Sequence, residues 1–134
     1  MISTIKHLYR TYQHTNRDKH LETERSPHWP TVEKHWLEKQ PTCQACGGKE
    51  KLAVHHKVPW HKNKDLELDE TNFITLCMAQ DRHCHLLVAH GNNYKCWVDT
   101  VVELSAEVLN AYKQSDMKLV QSLIEKAREI RKGP

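Results

Sequence analysis

Apolar residues recur at helical spacing in two stretches of the N-terminal part of the chain. The first stripe predicts a short helix close to the N-terminus and consists of Ile5, Leu8, Tyr9 and Tyr12. Trp29, Val32 and Trp36 predict a second helix, since Pro30 suits its first turn and Pro41 limits its end. At these intervals the two tryptophans are expected to pack in the core rather than to stack on bases.

The C-terminal part carries two further patterns of this kind and is expected to fold as a helical hairpin. The inward side of its first helix is expected to hold Val101, Leu104, Val108 and Tyr112. Asp116 is placed to cap the second helix. The inward side of that helix is expected to hold Met117, Val120, Leu123, Ile124, Ala127 and Ile130. Packing of this hairpin on the core or on a partner is favoured over DNA contacts through its basic residues.

Two short segments between these helices have the composition of β-strands. They are residues 52–54 and 73–76, and the polar stretch of residues 60–71 must connect them. The pair predicts a β-hairpin with a long exposed connection. Residues 86–88 then predict a short helix that Gly91 ends. A hairpin among helices places the chain in the α+β class.

Length and composition indicate a single compact unit. The chain has 134 residues, of which 38% are hydrophobic, and single domains commonly have this length. We divide it into an N-terminal helical arm of residues 1–25, a core of residues 26–98 and the C-terminal helical hairpin of residues 99–134. The formal net charge of +3 suits a polyanionic partner without requiring one. No apolar run approaches the roughly 20 residues that cross a bilayer and no signal peptide is apparent, so a cytoplasmic protein without membrane association is expected.

Four of the five cysteines are spaced as ligands of one metal ion. Cys43 and Cys46 stand beside two glycines in the pattern of a zinc knuckle, and Cys77 and Cys84 supply two further thiolates. The gap between the last two is longer than is usual for such pairs, and His83 is the alternative to Cys84 as the fourth ligand. Because the cysteines occur in ligand-like positions among histidines, a structural zinc site in a reducing compartment is predicted rather than disulfides.

The adjacent residues His55 and His56 lie at the end of the first predicted strand. Neighbouring side chains of a strand point to opposite faces, so the two imidazoles are expected to have different functions. One of them can join His85 and His90 around a metal ion if these face the hairpin, while the other remains available as a general base. Phosphodiester hydrolysis requires this combination of an ion that polarises the phosphate and a base with a pKa near neutral.

The order of these motifs resembles the HNH endonucleases, the ββα-metal or His-Me finger class, in their zinc-stabilised four-cysteine form. The resemblance covers residues 26–98 and rests on Cys-x2-Cys, Val-His-His-x-x-Pro, Asn-Phe-Ile-Thr-Leu-Cys and Cys-His in this order. It implies a β-hairpin and a helix that together hold a catalytic ion and are stabilised by a zinc site of four cysteines.

The resemblance also implies a function for each matching residue. His56 would be the general base that activates water, and His55 would be a ligand of the catalytic divalent ion. Asn72 would fix the long loop and thereby orient the base, and His85 would be a metal ligand at the start of the helix. His90 resembles a further helix ligand, although some relatives place the two helix histidines four residues apart and here they are five apart.

The implied activity is metal-dependent cleavage of DNA, either as a nickase or on both strands. Zinc would be structural, and the catalytic ion would be Mg2+, Mn2+, Ni2+ or Zn2+. DNA would be held mainly through its backbone phosphates. Small size and the habits of the family suggest a phage or mobile-element origin, with phage packaging proteins as further partners. The alternatives are a catalytically inactive zinc-binding module that contacts DNA or protein on the same scaffold, and a nuclease toxin like the bacteriocin DNases.

Overall fold

The structure is a computed structural model that describes residues 25–133. Within this range the chain forms α-helices, a two-stranded antiparallel sheet and a short π-helical segment. In chain order the longer elements are α1 (Trp29–Lys39), β1 (Leu52–His56), β2 (Phe73–Cys77), the π-helical segment (His85–Ala89), α2 (Val101–Lys113) and α3 (Met117–Ile130). Two short 3-10 helices, Lys64–Leu66 and Glu70–Asn72, lie between the strands. The predicted α+β class is confirmed, and the helix predicted over residues 5–12 lies outside the described residues.

The predicted hairpin is confirmed, and both strands extend beyond their predicted ends. β1 and β2 pair in the register that sets Leu52 opposite Cys77 and His56 opposite Phe73. All five residues of β2 are buried, because this strand contributes to two hydrophobic clusters. The extension of β1 places His55 within the regular strand beside its neighbour, where successive side chains leave on opposite faces.

Two hydrophobic clusters fix the hairpin within the fold. The larger contains the buried cysteines of the zinc motif, Ile74 and Leu76 of β2, and the inward faces of α2 and α3. The smaller consists of Val32, Val54, Leu68 and Phe73, with the two tryptophans of α1 packed against it. β2 therefore links the sulfur cluster to the first helix, and displacement of either cluster would move the strands that carry the candidate site.

Helix α1 begins as predicted, with a proline in its first turn. The indole N–H of Trp36 donates to the Thr75 hydroxyl at 2.9 Å, and its ring packs edge-on against Phe73. Trp29 packs edge-on against the same phenylalanine. Both tryptophans are thus partly buried against the hairpin, in agreement with their predicted packing.

The C-terminal end of α3 holds the residues that follow the π-helical segment. Gly91 has a φ of +56°, and a Cβ at this position would lie 2.7 Å from the Ala127 carbonyl oxygen. The Arg131 guanidinium donates to the Gly91 carbonyl at 2.6 Å, and Trp97 pairs with Lys132 in an isolated β-bridge. The helix predicted around residues 86–88 is therefore a π-helical segment whose end is packed against α3.

Helix α3 begins at the predicted cap, where the Asp116 carboxylate accepts a hydrogen bond from the Leu119 N–H at 3.0 Å. Val120, Leu123 and Ala127 are buried, as predicted. The inward position predicted for Met117 is wrong, since this side chain is 56% exposed. The whole first turn of α3 is exposed and burial begins only at Val120, so helical periodicity extends one turn further than the packed interface.

Residues 25–133 include no helix that is long and apolar enough to span a bilayer.

Candidate active site and metal centre

The four cysteines predicted as ligands converge on one buried position. Cys43 and Cys46 lie in the turn before β1, Cys77 is the last residue of β2, and Cys84 directly precedes the π-helical segment. All four sulfurs lie within 4.8 Å of one another, and those of Cys46 and Cys77 are 3.7 Å apart. Sulfurs around a tetrahedral zinc ion, with Zn–S bonds of about 2.3 Å, are separated by about 3.8 Å. The cluster is therefore compatible with a structural zinc ion.

Backbone donors support negative charge on these sulfurs. The N–H of Cys77 donates to Sγ of Cys43 at 3.3 Å, and the N–H of Gly48 donates to Sγ of Cys46 at 3.4 Å. Gly47 adopts a φ of +77°, and its N–H donates to the Cys43 carbonyl at 2.8 Å, which closes the turn. Because a glycine adopts this left-handed conformation without steric cost, the turn can wrap its two thiolates around one ion.

The thiols also perturb one another. Hydrogen bonds from Cys43 and Cys84 lower the pKa of Cys46. The hydrogen bond to Cys46 raises the pKa of Cys43 to about 11, and hydrogen bonds to Cys43 and Cys46 raise that of Cys84. Four thiolates this close repel one another without a cation between them, so the donor set is one that a divalent metal ion completes.

His83, the alternative fourth ligand, lies outside the sulfur cluster. Its Nε2 is 3.0 Å from the Tyr94 hydroxyl, and its backbone N–H donates to the Ala79 carbonyl in the segment between Cys77 and Cys84. The four mutually close ligand atoms are the sulfurs, with that of Cys84 as the fourth. The geometry thus favours the four-cysteine set.

A second group of candidate ligands lies where β1 meets the π-helical segment. The ring of His55 has its centroid 5.2 Å from that of His85 and 4.9 Å from that of His90. One ring nitrogen from each of the three residues lies within 4.8 Å of the others. The predicted trio therefore comes together around a single position.

The type of helix explains how His85 and His90 meet. Residues five apart are separated by about 140° around an α-helix, which would turn the second imidazole away from the first. A π-helix is closed by hydrogen bonds between residues five apart, so such residues lie on one face. The π-helical geometry thus lets two histidines that are five positions apart face one position.

The ring nitrogens of this trio are available as ligands. Nε2 of His55 and Nδ1 of His85 are buried and have no hydrogen-bond partner within residues 25–133, although buried polar atoms normally have one. Nδ1 of His90 lies 2.7 Å from the Cys96 carbonyl, which can only accept, so this nitrogen carries the proton and Nε2 keeps its lone pair. A divalent ion fits these donors, and a carbonyl that orients one of them is typical of histidine metal sites.

Burial keeps these imidazoles uncharged at neutral pH. It lowers the pKa of His55 well below 6.5, and the nearby His85 and His90 lower it further. Burial likewise lowers the pKa of His85 to about 4. For His90 burial lowers the pKa, while the hydrogen bond to Cys96 acts in the opposite direction. The neutral form is the one that coordinates a metal.

His56 makes a different set of contacts from its neighbour. Its Nε2 lies 2.8 Å from the Glu67 carbonyl, and its ring packs against Trp29 and Phe73 with centroid distances of 4.7 and 5.2 Å. Because the carbonyl can only accept, Nε2 carries the proton and Nδ1 keeps a lone pair. Burial lowers the pKa of His56, and the hydrogen bond to Glu67 opposes this effect.

Asn72 closes the long connection between the strands. Its Oδ1 accepts from the N–H of Val58 at 2.8 Å, and its Nδ2 donates to the carbonyls of Val58 at 3.1 Å and Leu66 at 3.4 Å. The buried amide thus bridges the beginning and the end of the connection. It contacts none of the three clustered histidines, and its predicted effect on the general base would act through the loop.

Glu67 is a residue that the sequence analysis did not single out. Its carboxylate is buried, accepts from the N–H of Ser26 at 3.1 Å and pairs with the Arg25 guanidinium at 2.9 Å. These contacts hold the segment before α1 and fix the backbone whose carbonyl meets His56. No sequence signal identified it, because its contact with the imidazole uses a main-chain atom.

Tyr94 was also missed. Its ring centroid lies 5.0 Å from that of His90 and 5.7 Å from that of His85, and the side chain is about half exposed. A single tyrosine in a polar segment carries no pattern that would have revealed this position.

The four histidines line one cavity of about 290 Å3. Its other walls are formed by Arg25, Trp29, Glu33, Val54, Pro59 and Trp60. The imidazole trio and His56 therefore face a common space that is open to a ligand from solution.

This arrangement is consistent with a ββα-metal fold, in which a β-hairpin and the helical segment that follows it hold the ligand groups. Residues 43–90 match the family model of the HNH endonucleases. The match spans the knuckle, the hairpin and the π-helical segment and leaves α1, α2 and α3 outside it. Comparison with curated proteins and with solved structures gave no match.

Proposed function

We propose that this protein is a metal-dependent DNA endonuclease that hydrolyses phosphodiester bonds. The observation that carries the proposal is that two neighbouring histidines of β1 make different contacts beside the same cavity. His55 joins a trio of neutral imidazoles, whereas His56 keeps a lone pair on Nδ1 and lines the same cavity. A ligand set and a separate base beside one space are what hydrolysis of a phosphodiester requires.

His56 is the proposed general base. The Glu67 carbonyl holds its Nε2–H and thereby selects the tautomer in which Nδ1 can take a proton from water. Burial lowers its pKa, so the imidazole is neutral at pH 7 and able to act as a base. The rings of Trp29 and Phe73 limit its rotation, which keeps the nitrogen aimed at one place.

His55, His85 and His90 are the proposed ligands of the catalytic ion. Imidazole donors suit Ni2+ and Zn2+ and do not exclude Mn2+ or Mg2+ when oxygen ligands from water and substrate complete the shell. When bound, such an ion supplies Lewis-acid stabilisation of charge on the phosphate and on the leaving 3′ oxygen. The proposed products carry 5′-phosphate and 3′-hydroxyl ends.

Asn72 is proposed as a positioning residue rather than a ligand. Its three hydrogen bonds tie the connection near its two ends, and this connection also carries Glu67, whose carbonyl orients the base. The sulfur cluster is proposed to hold a structural zinc ion, because it joins the end of β2 to the start of the π-helical segment and none of its four cysteines lines the cavity.

The finer parts of the proposal rest on the family resemblance. They are the nicking or double-strand cleavage of DNA, a phage or mobile-element origin, phage packaging proteins as partners and action in the cytoplasm of the host cell. Conversion of supercoiled plasmid to the open circular form would indicate nicking, and direct conversion to the linear form would indicate cleavage of both strands.

The test is cleavage of supercoiled plasmid by zinc-loaded protein in the presence of Mg2+, Mn2+, Ni2+ or Zn2+. His56→Ala and the more conservative His56→Gln should abolish cleavage while zinc content and thermal unfolding stay close to those of the wild type. His28→Ala is the matched control, because this histidine caps α1 without a side-chain hydrogen bond to the helix and lies outside the cavity. Wild-type cleavage by a folded His56→Gln variant would refute the assignment of the base.

Absence of cleavage by the wild-type protein with every ion, together with retained DNA binding, would favour the alternative of an inactive zinc-binding module.

A further inference from the structure

The connection that follows β1 carries a surface that the proposed mechanism does not use. Trp60 lies in this connection and lines the cavity together with His55 and His56. The residues that follow Trp60 in the chain add lysine side chains to the same part of the loop. We call the surface formed by Trp60, His61, Lys62, Lys64 and Trp97 the basic–aromatic strip. It begins at the candidate site and extends away from it.

Cations in the strip are held over indole rings. The ammonium of Lys64 lies 5.2 Å from the ring centroid of Trp60, and that of Lys62 lies 5.2 Å from the ring centroid of Trp97. The imidazole of His61 meets the same Trp97 ring edge-on at 5.4 Å. These contacts connect the loop after β1 with the segment after the π-helical segment, so both segments contribute to the strip.

The lysines of the strip are not held in ion pairs. Residues 57–64 contain three lysines and no acidic residue. In the part of the chain that the structure describes, neither Lys62 nor Lys64 takes part in an ion pair. Elsewhere on the surface Lys39, Lys126 and Lys132 each meet a carboxylate. The two lysines of the strip are therefore ordered by indole rings rather than by carboxylates, and their charge is available to an anion.

We propose that the basic–aromatic strip binds the phosphate backbone of DNA and guides the strand toward the candidate site. The inference rests on the proposed function in that it names the surface that would present the substrate. Backbone phosphates form a regular array of negative charge, and an ordered cation beside a cleavage site offers a complement to it. Because each lysine already packs on an indole, a phosphate contact requires less additional ordering of its side chain than it would for a free lysine.

The sequence-independent character of these contacts follows from their chemistry. Ammonium groups at a phosphate read no base edge, so the strip should contribute affinity without sequence preference. Its contribution should be screened by salt, because each phosphate contact releases condensed counterions.

The experiment compares two charge-removal variants that leave the same net charge. Lys62→Gln/Lys64→Gln removes two cations of the strip and keeps most of the length of the side chains. The matched control, Lys113→Gln/Lys118→Gln, removes two exposed cations around the turn between α2 and α3. Both are made in a His56→Gln background without added divalent ion, so that binding of a duplex oligonucleotide is measured by fluorescence anisotropy without cleavage.

The strip variant should bind DNA about tenfold or more weakly than the background protein at low salt, since two phosphate contacts are lost. The slope of log affinity against log salt should become shallower by about two, whereas the control variant should keep the slope. Lys62→Arg/Lys64→Arg should retain most of the affinity, because the cations and their packing on the indoles are preserved.

Equal affinities and slopes for the strip variant and the control variant would overturn the proposal, as would an inability of the background protein to bind DNA. The proposal would also be overturned if the background protein bound polyglutamate as tightly as DNA and the strip variant lost that binding. This result would indicate an acidic protein as the partner instead of DNA. Plasmid cleavage is measured separately on the wild type, so a strip that binds DNA in a protein that does not cleave it would refute the proposed function and leave this inference standing.

Discussion

The rings of His85 and His90 have their centroids 4.9 Å apart although the two residues are five positions apart in the chain. The separation is short because the segment is π-helical, which puts residues five apart on one face. Gly91, just beyond the end of the segment, packs against α3. Helix α3 lies outside the HNH match, and it therefore helps to position the segment that carries the two histidines. The relative position of the two imidazoles therefore depends on helix packing as well as on their spacing in the chain.

Removal of His90 should weaken the candidate ion site. His90→Ala leaves two imidazoles, and the affinity of zinc-loaded protein for Ni2+ should fall by at least about tenfold, since even the partners that orient a ligand contribute that much. Isothermal titration with Ni2+ measures this change. His83→Ala is the control, because its ring bonds to Tyr94 outside the trio. An unchanged Ni2+ affinity in His90→Ala would exclude this residue from the ligand set.

Loss of one sulfur should affect folding more than chemistry. Cys46→Ser should release zinc and lower the midpoint of thermal unfolding strongly, because the ion joins the knuckle to the end of β2. Cys96→Ser provides the comparison, since this buried residue lies outside the sulfur cluster and the variant should keep its zinc. Zinc content and the unfolding midpoint are measured together. A Cys46→Ser variant that keeps both would contradict a structural function for the cluster.

Asn72→Ala should slow the reaction without removing a ligand. The substitution leaves the Val58 N–H without its buried acceptor and should cost about 1–3 kcal/mol of unfolding free energy. Because the loop also carries the carbonyl that orients His56, kcat for plasmid cleavage should fall while Ni2+ affinity stays unchanged. Chemical denaturation, cleavage rates and Ni2+ titration separate these effects. A large loss of Ni2+ affinity would instead make Asn72 part of the ion site.

The pH dependence of cleavage should reflect the buried state of His56. The base works when neutral, so activity is present above its pKa and is lost as the pH falls through that value. Burial lowers the pKa of His56, which places the acid limb of log kcat/KM below pH 6.5. Rates measured between pH 5 and 8 on metal-saturated protein, roughly spanning the titration of histidine, test this expectation. An acid limb centred above 6.5 would contradict it.

Local sequence patterns were sufficient for most of the secondary structure. Spacing of apolar residues predicted α1, α2 and α3, and short segments with the composition of strands predicted β1 and β2, because these signals depend on neighbouring positions along the chain. The exposed Met117 shows a limit of such patterns. Periodicity indicates which residues share one face of a helix, but it does not indicate how much of that face another element covers.

The ligand groups were also visible in the sequence, through residue type and order. Cys43, Cys46, Cys77 and Cys84 were predicted together and lie together, and so do the three clustered histidines. Their functions as zinc ligands, ion ligands and base remain predictions that the experiments above address. Residue type indicates which chemistry is available, whereas coordinates are needed to decide which atoms meet.

The amino-acid sequence by itself determined the elements, the candidate ligands and the basic character of the loop after β1. Only the tertiary structure decided that the segment from His85 is π-helical, that the Glu67 carbonyl orients His56, and that Lys62 lies over Trp97. The first depends on packing against α3, the second on a main-chain atom and the third on a contact between residues far apart in the chain. None of these leaves a local pattern, because each depends on which distant segments the fold brings into contact.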